Sequence, residues 1–152
     1  MTIRLRRIPK RWKPSAGLRA LLASGPVRER KTEEHDAQVE LFRDHIWPRL
    51  VDDAVAFAVG NGGKRHPKVA KEMKEEGVTA GVPDIFIIRA RQVFFLEMKK
   101  PRGGRVSKDQ RVMMARLVNA GAICAVANGL TQAIAQLEAW QLLKPMGEEM
   151  AA

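Results

Sequence analysis

DIFIIRARQVFFLEMK, residues 84–99, is the stretch that decides the expected fold. It consists of two runs rich in β-branched and aromatic residues, joined by the short polar connection Arg89-Ala90-Arg91-Gln92. Short apolar runs of this composition, separated by a few polar residues, are typical of a β-hairpin. If the two middle residues of the connection form the turn, antiparallel pairing places Asp84 directly opposite Glu97. The stretch therefore predicts a hairpin with these two carboxylates at its open end.

The alternation of side chains along a strand predicts a third charged group at the same place. Glu97 and Lys99 are two positions apart and point to one face of the sheet, whereas Met98 points to the other. Neither Ala90 nor Arg91 is glycine or asparagine, so the turn type stays open at this point. A register slip of two residues would keep the charged groups on one face, and a slip of one would separate them. Two carboxylates and a lysine in this order can form a metal-dependent site for phosphodiester hydrolysis.

A glutamate followed two positions later by a lysine is a weak signal when taken alone. The chain contains three such triplets, Glu29-Arg30-Lys31, Glu72-Met73-Lys74 and Glu97-Met98-Lys99. The first two lie in a basic segment and in a predicted solvated helix, where such pairs are ordinary surface charge. A surface ion pair in the third triplet and a turn-capping role for Asp84 are the alternatives without chemistry. Charges that face one another in an otherwise apolar hairpin favour a site.

Length and composition predict one soluble domain. The chain has 152 residues, of which 45% are hydrophobic, enough for a single modest core. No apolar stretch approaches the length of a membrane span. The single cysteine, Cys124, cannot form an internal disulfide and is interpreted as a core residue of a protein in a reducing, cytoplasmic compartment. A catalytic thiol is disfavoured because no motif places a histidine beside it.

Positive charge is concentrated at the N-terminus. Residues 1–31 contain ten Lys or Arg and one Glu, so nearly all of the net charge of +10 belongs to this segment. A basic arm around Trp12 suits a polyanion, because phosphate contacts release counterions and bases stack on indole. A disordered solubilising tail and an organellar transit peptide are the alternatives. We therefore predict a flexible arm over residues 1–31 and a folded domain over residues 32–152.

The remaining pattern predicts an α/β fold with a mixed sheet flanked by helices. The predicted order is helix, strand, helix, two hairpin strands, helix, strand and helix, with the last strand joined by a helical crossover. The first helix is expected to end at Pro48 and the last at Leu143. Outside the hairpin, the predicted elements are helices 33–47, 67–76, 107–119 and 131–143 and strands 55–59 and 122–127.

Several motifs in a fixed order resemble the virus-type replication-repair nuclease (VRR-NUC) domain, a branch of the PD-(D/E)XK nuclease superfamily. The matching motifs are Asn61-Gly62-Gly63, Gly77 with Gly81-Val82-Pro83-Asp84, Phe95-Leu96-Glu97-Met98-Lys99, Ser107-Lys108-Asp109-Gln110 and Gly121. With the helix that carries Glu40, the likeness covers residues 33–143. It implies a restriction-endonuclease-like core and a metal-dependent nuclease.

The resemblance also implies roles for individual residues. Asp84 and Glu97 would hold Mg²⁺ or Mn²⁺ together with the Met98 carbonyl, since hard cations prefer oxygen ligands. Lys99 would orient the attacking water and offset developing charge. Each of two further residues has two possible interpretations. Glu40 resembles the helix glutamate that completes the site in the family, and it can also be interpreted as a residue on a solvated helix face. Gln110 matches the glutamine of the family and also belongs to a capping box with Ser107.

Basic residues near the site are candidates for DNA contact. A basic loop, which begins at Lys100, follows the site directly, and its two glycines would allow close approach to a phosphate backbone. The Gly-rich loop at 60–63 continues into two more basic residues and resembles no nucleotide-binding signature, so we expect no nucleotide cofactor. The DNA-binding candidates are Lys64, Arg65, Lys100, Arg102, Arg105 and Lys108.

The sequence as a whole predicts a Mg²⁺- or Mn²⁺-dependent DNA endonuclease. Stand-alone members of the resembled family imply a homodimer that cuts branched DNA, such as four-way junctions, in repair or recombination in a bacterial or phage-infected cell. Trp47, Trp140 and the Leu142-Leu143 pair are apolar candidates for the dimer surface that could equally belong to the core. A basic architectural module that binds DNA or RNA without cleaving it is the alternative. An inhibitor or assembly factor on a nuclease fold also stays open.

Overall fold

The computed structural model describes residues 33–60 and 66–147 of the chain. The predicted arm over residues 1–31 and the candidates Lys64 and Arg65 lie outside the described residues. Of the described residues, 66–78 belong to one compact unit, and 33–60 and 79–147 belong to another. None of the helices in the described part is long and apolar enough to cross a membrane.

The order of helices and strands agrees with the prediction. The elements are α1 (Glu33–Glu40), a π-helix (Leu41–Ile46), α2 (Trp47–Arg49), β1 (Ala54–Ala58), α3 (Pro67–Glu75), β2 (Ile85–Arg89), β3 (Gln92–Lys99), α4 (Lys108–Asn119), β4 (Ile123–Asn128) and α5 (Leu130–Ala139). The predicted ends of β1 and β4 were each wrong by one residue. The last helix ends at Ala139, four residues before the predicted end.

Helix α3 belongs to the first unit and is described by itself. The side chain of His66 accepts a hydrogen bond from the Lys68 N–H at 3.4 Å and caps the helix start. Pro67 follows in the first turn, where a missing N–H costs nothing. The chain leaves the helix through Gly77, whose φ of +96° is accessible to glycine at little cost.

The second unit is built on a four-stranded mixed sheet in the order β1-β2-β3-β4. The first three strands are antiparallel, and β4 pairs in parallel with β3 after the crossover through α4, as predicted. The pairing of Arg89 with Gln92 and of Ile85 with Leu96 confirms the predicted hairpin register. The turn residues Ala90 and Arg91 both have positive φ, +48° and +68°, the signature of a type I′ turn.

One face of the sheet carries the hydrophobic core. Ile85, Ile87 and Leu96 are fully buried on this face, with Met98 and Ala127 beside them. The opposing side chains come from the π-helix, from α5 and from the segment after α5: Leu41, Phe42, Ile46, Ala133, Leu137, Leu142 and Leu143. Since strand residues alternate, Glu97 and Lys99 lie on the opposite face from this core.

Pro48 does not end the first helix, so that prediction was wrong. The chain passes from α1 into a π-helix and then through α2 to Arg49, with Pro48 in the first turn of α2. The Trp47 N–H donates to the Phe42 carbonyl, a bond across five residues. Because proline lacks an N–H and its ring crowds the carbonyl four residues earlier, the wider π-turn accommodates it where a regular turn would clash.

The structure separates the apolar residues that the sequence left open between core and surface. Trp140 packs against Phe94 at a ring-centroid distance of 5.2 Å, and Leu142 and Leu143 are buried in the core. Trp47, in contrast, is 72% exposed. Only Trp47 among these candidates is therefore available at the surface.

Candidate active site

Asp84 stands directly before β2, at the open end of the hairpin. Extending the register by one pair from Ile85 and Leu96 places Asp84 opposite Glu97. Asp84 Oδ2 accepts a hydrogen bond of 2.8 Å from the Met98 N–H, which ties the carboxylate to β3. The preceding residue, Pro83, is buried and has a restricted φ. The backbone before Asp84 and the Asp84 side chain are therefore both fixed in position.

Glu97 is the centre of a buried polar cluster. Its residue is only 1% exposed, and its Oε1 accepts hydrogen bonds from Lys99 Nζ and from Gln110 Nε2, each at 2.5 Å. Its other oxygen, Oε2, is buried and has no hydrogen-bond partner within the described residues. A buried carboxylate oxygen without a donor is costly, so this atom points to a missing cationic or hydrogen-bonding partner.

Gln110 forms the predicted capping box and also contacts Glu97. Its Oε1 accepts from the Ser107 N–H at 2.8 Å, and its own N–H donates to Ser107 Oγ at 3.2 Å, which completes a capping box at the start of α4. The same side chain donates to Glu97 from Nε2. The cap therefore fixes the amide that holds the Glu97 carboxylate.

Burial dominates the electrostatics of the carboxylates. Desolvation, with a smaller contribution from the nearby charge of Asp84, raises the pKa of Glu97 to about 7, although the bond from Lys99 opposes this. Desolvation also raises the pKa of Asp84, and the Met98 N–H offsets part of the effect. For Lys99, burial lowers the pKa, but the bond to Glu97 and the surrounding carboxylates outweigh it and the net pKa is raised. The site therefore combines one ammonium with more carboxylate charge than that ammonium can neutralise.

Glu34, which the sequence reasoning missed, lies beside this cluster. Its Oε1 is 3.5 Å from Lys99 Nζ, and its negative charge raises the pKa of Asp84 and of Glu97. Glu40, the predicted helix glutamate, is exposed at the end of α1, where its charge acts on Arg43. The structure thus brings Asp84, Glu97, Lys99, Gln110 and Glu34 together, and none of the hydrogen bonds or ion pairs described for this cluster involves Glu40. The regular spacing of Val39, Phe42 and Ile46 gave no signal for Glu34, because the π-helix after α1 shifts the helical phase.

The donors of this cluster fit a hard divalent cation. The described residues contain no group of three or more His, Cys, Asp or Glu side chains arranged to hold a metal ion. Mg²⁺ requires less than that, since it keeps several waters and takes one or two protein carboxylates together with substrate oxygens. The unpartnered Glu97 Oε2 beside Asp84 is the kind of oxygen such an ion would bind.

The basic loop after β3 folds back onto the end of the strand. A Cβ added at Gly104 would lie 2.9 Å from Lys99 Cβ and 2.9 Å from the Lys100 nitrogen, so only glycine allows this approach. The loop carries three of the DNA-binding candidates, and the start of α4 carries another. These exposed cations are Lys100, Arg102, Arg105 and Lys108.

A mixed α/β sheet with Asp, Glu and Lys converging at the open end of a central hairpin is the arrangement of a nuclease-type domain. The family model of the VRR-NUC domain matches residues 45–130, more than half of the chain. The chain belongs to the VRR-NUC domain family. The matched range contains Asp84, Glu97, Lys99 and Gln110 but begins after α1, which carries Glu34 and Glu40.

A solved structure supports the fold. It is titled "VRR_NUC domain protein", has a TM-score of 0.55 and is 23% identical over 80% of this chain and 99% of its own. A comparison with curated proteins finds no match. Membership of the family implies a nuclease that acts on DNA, and VRR-NUC nucleases generally depend on a divalent metal ion.

Proposed function

We propose that this protein is a Mg²⁺- or Mn²⁺-dependent DNA endonuclease with its active site at the open end of the β2–β3 hairpin. The observation that carries the proposal is the unpartnered oxygen of Glu97, buried beside Asp84 and next to the Lys99 ammonium. A buried carboxylate oxygen without a donor is unexpected in a surface ion pair and is expected where a cation binds.

The proposed roles follow from the contacts of each side chain. Asp84 and Glu97 would hold the metal ion, with the Met98 carbonyl as the further ligand suggested by the sequence. When bound, such an ion lowers the pKa of water and offsets negative charge on the phosphate. Lys99 would keep its proton and place positive charge where the scissile phosphate becomes more negative. Gln110 would hold the Glu97 carboxylate in one orientation.

Glu34 and Glu40 take different parts in this proposal. Glu34 shares Lys99 with Glu97 and would fix the ammonium from the side of α1. Glu40 was the expected partner, and its carboxylate is exposed near Arg43. We therefore assign the helix carboxylate of the site to Glu34.

DNA would reach this site along the exposed basic residues that follow β3. Lys100, Arg102, Arg105 and Lys108 would contact the phosphate backbone, joined by Lys64, Arg65 and the basic arm over residues 1–31. We further propose that the substrate is branched DNA and that the protein acts in the cytoplasm as a homodimer without a nucleotide cofactor. Two sites related by a two-fold axis suit the two strands cut at a junction.

The test is cleavage of labelled four-way junction, flap and linear duplex DNA with Mg²⁺, Mn²⁺ or EDTA, beside Glu97→Ala. Paired nicks on the junction alone, lost in EDTA and in the variant, are the expected result. Cutting of all three substrates would retain the nuclease and reject the preference for junctions. Tight, salt-sensitive binding with no product under either metal would identify an architectural DNA-binding protein, the alternative favoured by the basic arm.

A further inference from the structure

The outer edge of β1 is one of the two edges of the sheet. β1 is the first strand of the sheet, and no strand within the described residues pairs with its outer side. The Val59 N–H donates to the Asp84 carbonyl, so the odd-numbered residues of β1 bond to β2. Ala56 and Ala58 consequently direct their N–H and C=O groups outward. Residues 54–60, AVAFAVG, contain neither a charged residue nor a proline, the usual devices that block an edge.

Large apolar side chains surround this edge. Phe57 is 50% exposed, Val55 is 58% exposed, and Val39 and Trp47 across the groove are 45% and 72% exposed. The groove between β1 and the α1–π-helix segment has a volume of about 490 Å³. An exposed set of Trp, Phe and Val around a free strand edge is characteristic of a protein interface, since nucleic-acid surfaces are more polar and basic.

The other edge of the sheet is different. β4 has Ala127 buried and Cys124, Ala125 and Val126 half-buried, with α4 and α5 packed against the strand. Its accessible apolar surface is therefore smaller than that of β1. Its exposed large apolar side chain is Ile123, at 39%, against Val55 and Phe57 on β1.

β1 is complementary to a second copy of itself. If two β1 strands pair antiparallel about a two-fold axis at Phe57, Ala56 of one copy faces Ala58 of the other. This single register uses the outward N–H and C=O groups of both residues. It also brings the two Phe57 side chains together across the axis and places Val55 against Val59. No like charges meet within the strand, because it has none.

We propose that two copies of this chain associate through antiparallel pairing of their β1 edges, centred on Phe57. The pairing forms one continuous eight-stranded sheet, and Trp47 and Val39 of each copy cover the strand of the other. The relevance of this interface to DNA cleavage rests on the proposed function. The contact surface itself is testable without any nuclease activity.

The first experiment is sedimentation of the full chain with charge variants at the two-fold axis. Wild type is expected to sediment as a dimer. Phe57→Lys and Phe57→Glu, each alone, place like charges opposite one another and should weaken the dimer about 30-fold or more. Mixed in equal amounts, the two variants should form a heterodimer, since Lys then faces Glu. Val118→Lys and Val118→Glu are the matched controls, because Val118 is 51% exposed on α4.

A second experiment covers the case in which a charge at position 57 prevents folding. In a non-hydrogen-bonded antiparallel pair the two Cα atoms are about 4.5 Å apart, within the range that a disulfide spans. Phe57→Cys should give a covalent dimer under mild oxidation, and Val118→Cys should not.

Several results would overturn the proposed interface. These are a monomeric wild type at all concentrations, a dimer that the position-57 charges leave intact, or no rescue on mixing. Metal-dependent cleavage by a monomer would reject this interface and keep the nuclease. A dimer linked through β1 that does not cleave DNA would support this interface and reject the nuclease.

Discussion

Stability of the metal-free protein should fall as pH rises, because folding buries Glu97. The pKa of this carboxyl rises from its ordinary 4.5 to about 7 on folding, mainly through desolvation. Between these two pH values the unfolded chain has ionised Glu97, whereas the folded chain keeps the proton. The folded state then binds more protons, so the free energy of unfolding decreases as pH increases.

The magnitude follows from the difference in pKa. Each pH unit between 4.5 and 7 removes about 1.4 kcal/mol, which sums to about 3 kcal/mol and is complete above pH 7. The raised pKa of Asp84 acts in the same direction. Lys99 does not contribute in this range, because its pKa is raised from an ordinary value of 10.5.

Urea unfolding in EDTA at several pH values between 5 and 8 measures this effect. The variant Glu97→Gln removes the titrating group and keeps the size of the side chain, so ionisable residues that do not interact with Glu97 cancel in the comparison. From pH 5 to pH 8, wild type should lose about 2–3 kcal/mol relative to the variant. Saturating Mn²⁺ at pH 8 should restore about 3 kcal/mol to wild type at 100 times its dissociation constant, and little to the variant. Parallel pH profiles in EDTA would refute the account of Glu97 as a desolvated, undercompensated carboxylate.

Three further substitutions test the site and the fold. Glu34→Gln should reduce the cleavage rate about tenfold or more, because it removes a partner of Lys99. Glu40→Gln should leave the cleavage rate nearly unchanged. Equal effects of the two variants in a cleavage assay would contradict the assignment of the helix carboxylate to Glu34. Gly81→Ala would place a Cβ 2.4 Å from the Asp109 carbonyl oxygen. It should destabilise the fold about 1–3 kcal/mol more than Gly121→Ala, because Gly121 also has a positive φ but has open space around it. Equal destabilisation of the two variants in thermal unfolding would exclude the contact. Ala90→Asn should raise the free energy of unfolding by about 0.5–1 kcal/mol, because asparagine tolerates the left-handed conformation of a type I′ turn, and an unchanged urea midpoint would argue against that turn.

The hairpin and its charged end could be predicted because they depend on local rules. Strand alternation and a two-residue turn are sufficient to place Asp84 opposite Glu97, and the observed register agrees. The type of turn was not predictable, since neither Ala90 nor Arg91 favours positive φ. The register of the flanking strands imposes that conformation on them.

The phase of the first helix could not be predicted, so the sequence favoured Glu40, whereas the structure places Glu34 beside Lys99. Residues Val39, Phe42 and Ile46 have the spacing of a regular apolar helix face, yet Val39 is exposed and Leu41 is fully buried. Each hydrogen-bonded turn of the π-helix contains one residue more than a turn of an α-helix. The side chains of α1 therefore point in other directions than a continuous α-helix would give them. Only the packing against the sheet reveals this rotation.

The exposure of Trp47 could not be predicted from the sequence either. Trp47 and Trp140 are both tryptophans at the end of an amphipathic segment, and the difference between them arises from strand order. Trp140 packs on Phe94 of the third strand, a central one, whereas Trp47 lies across the groove from the edge strand β1. Sheet order results from long-range pairing, which local patterns do not specify.

Cleavage by wild type and Lys99→Ala on the same labelled four-way junction tests the central claim most directly. Cleavage is measured in Mn²⁺ and in EDTA, and DNA binding is measured separately at the same ionic strength. We predict Mn²⁺-dependent product from wild type and none from the variant, with nearly equal affinity for the junction, because Lys99 is 8% exposed and faces Glu97. Equal cleavage by both proteins, or loss of binding together with cleavage, would contradict the active site described for this hairpin.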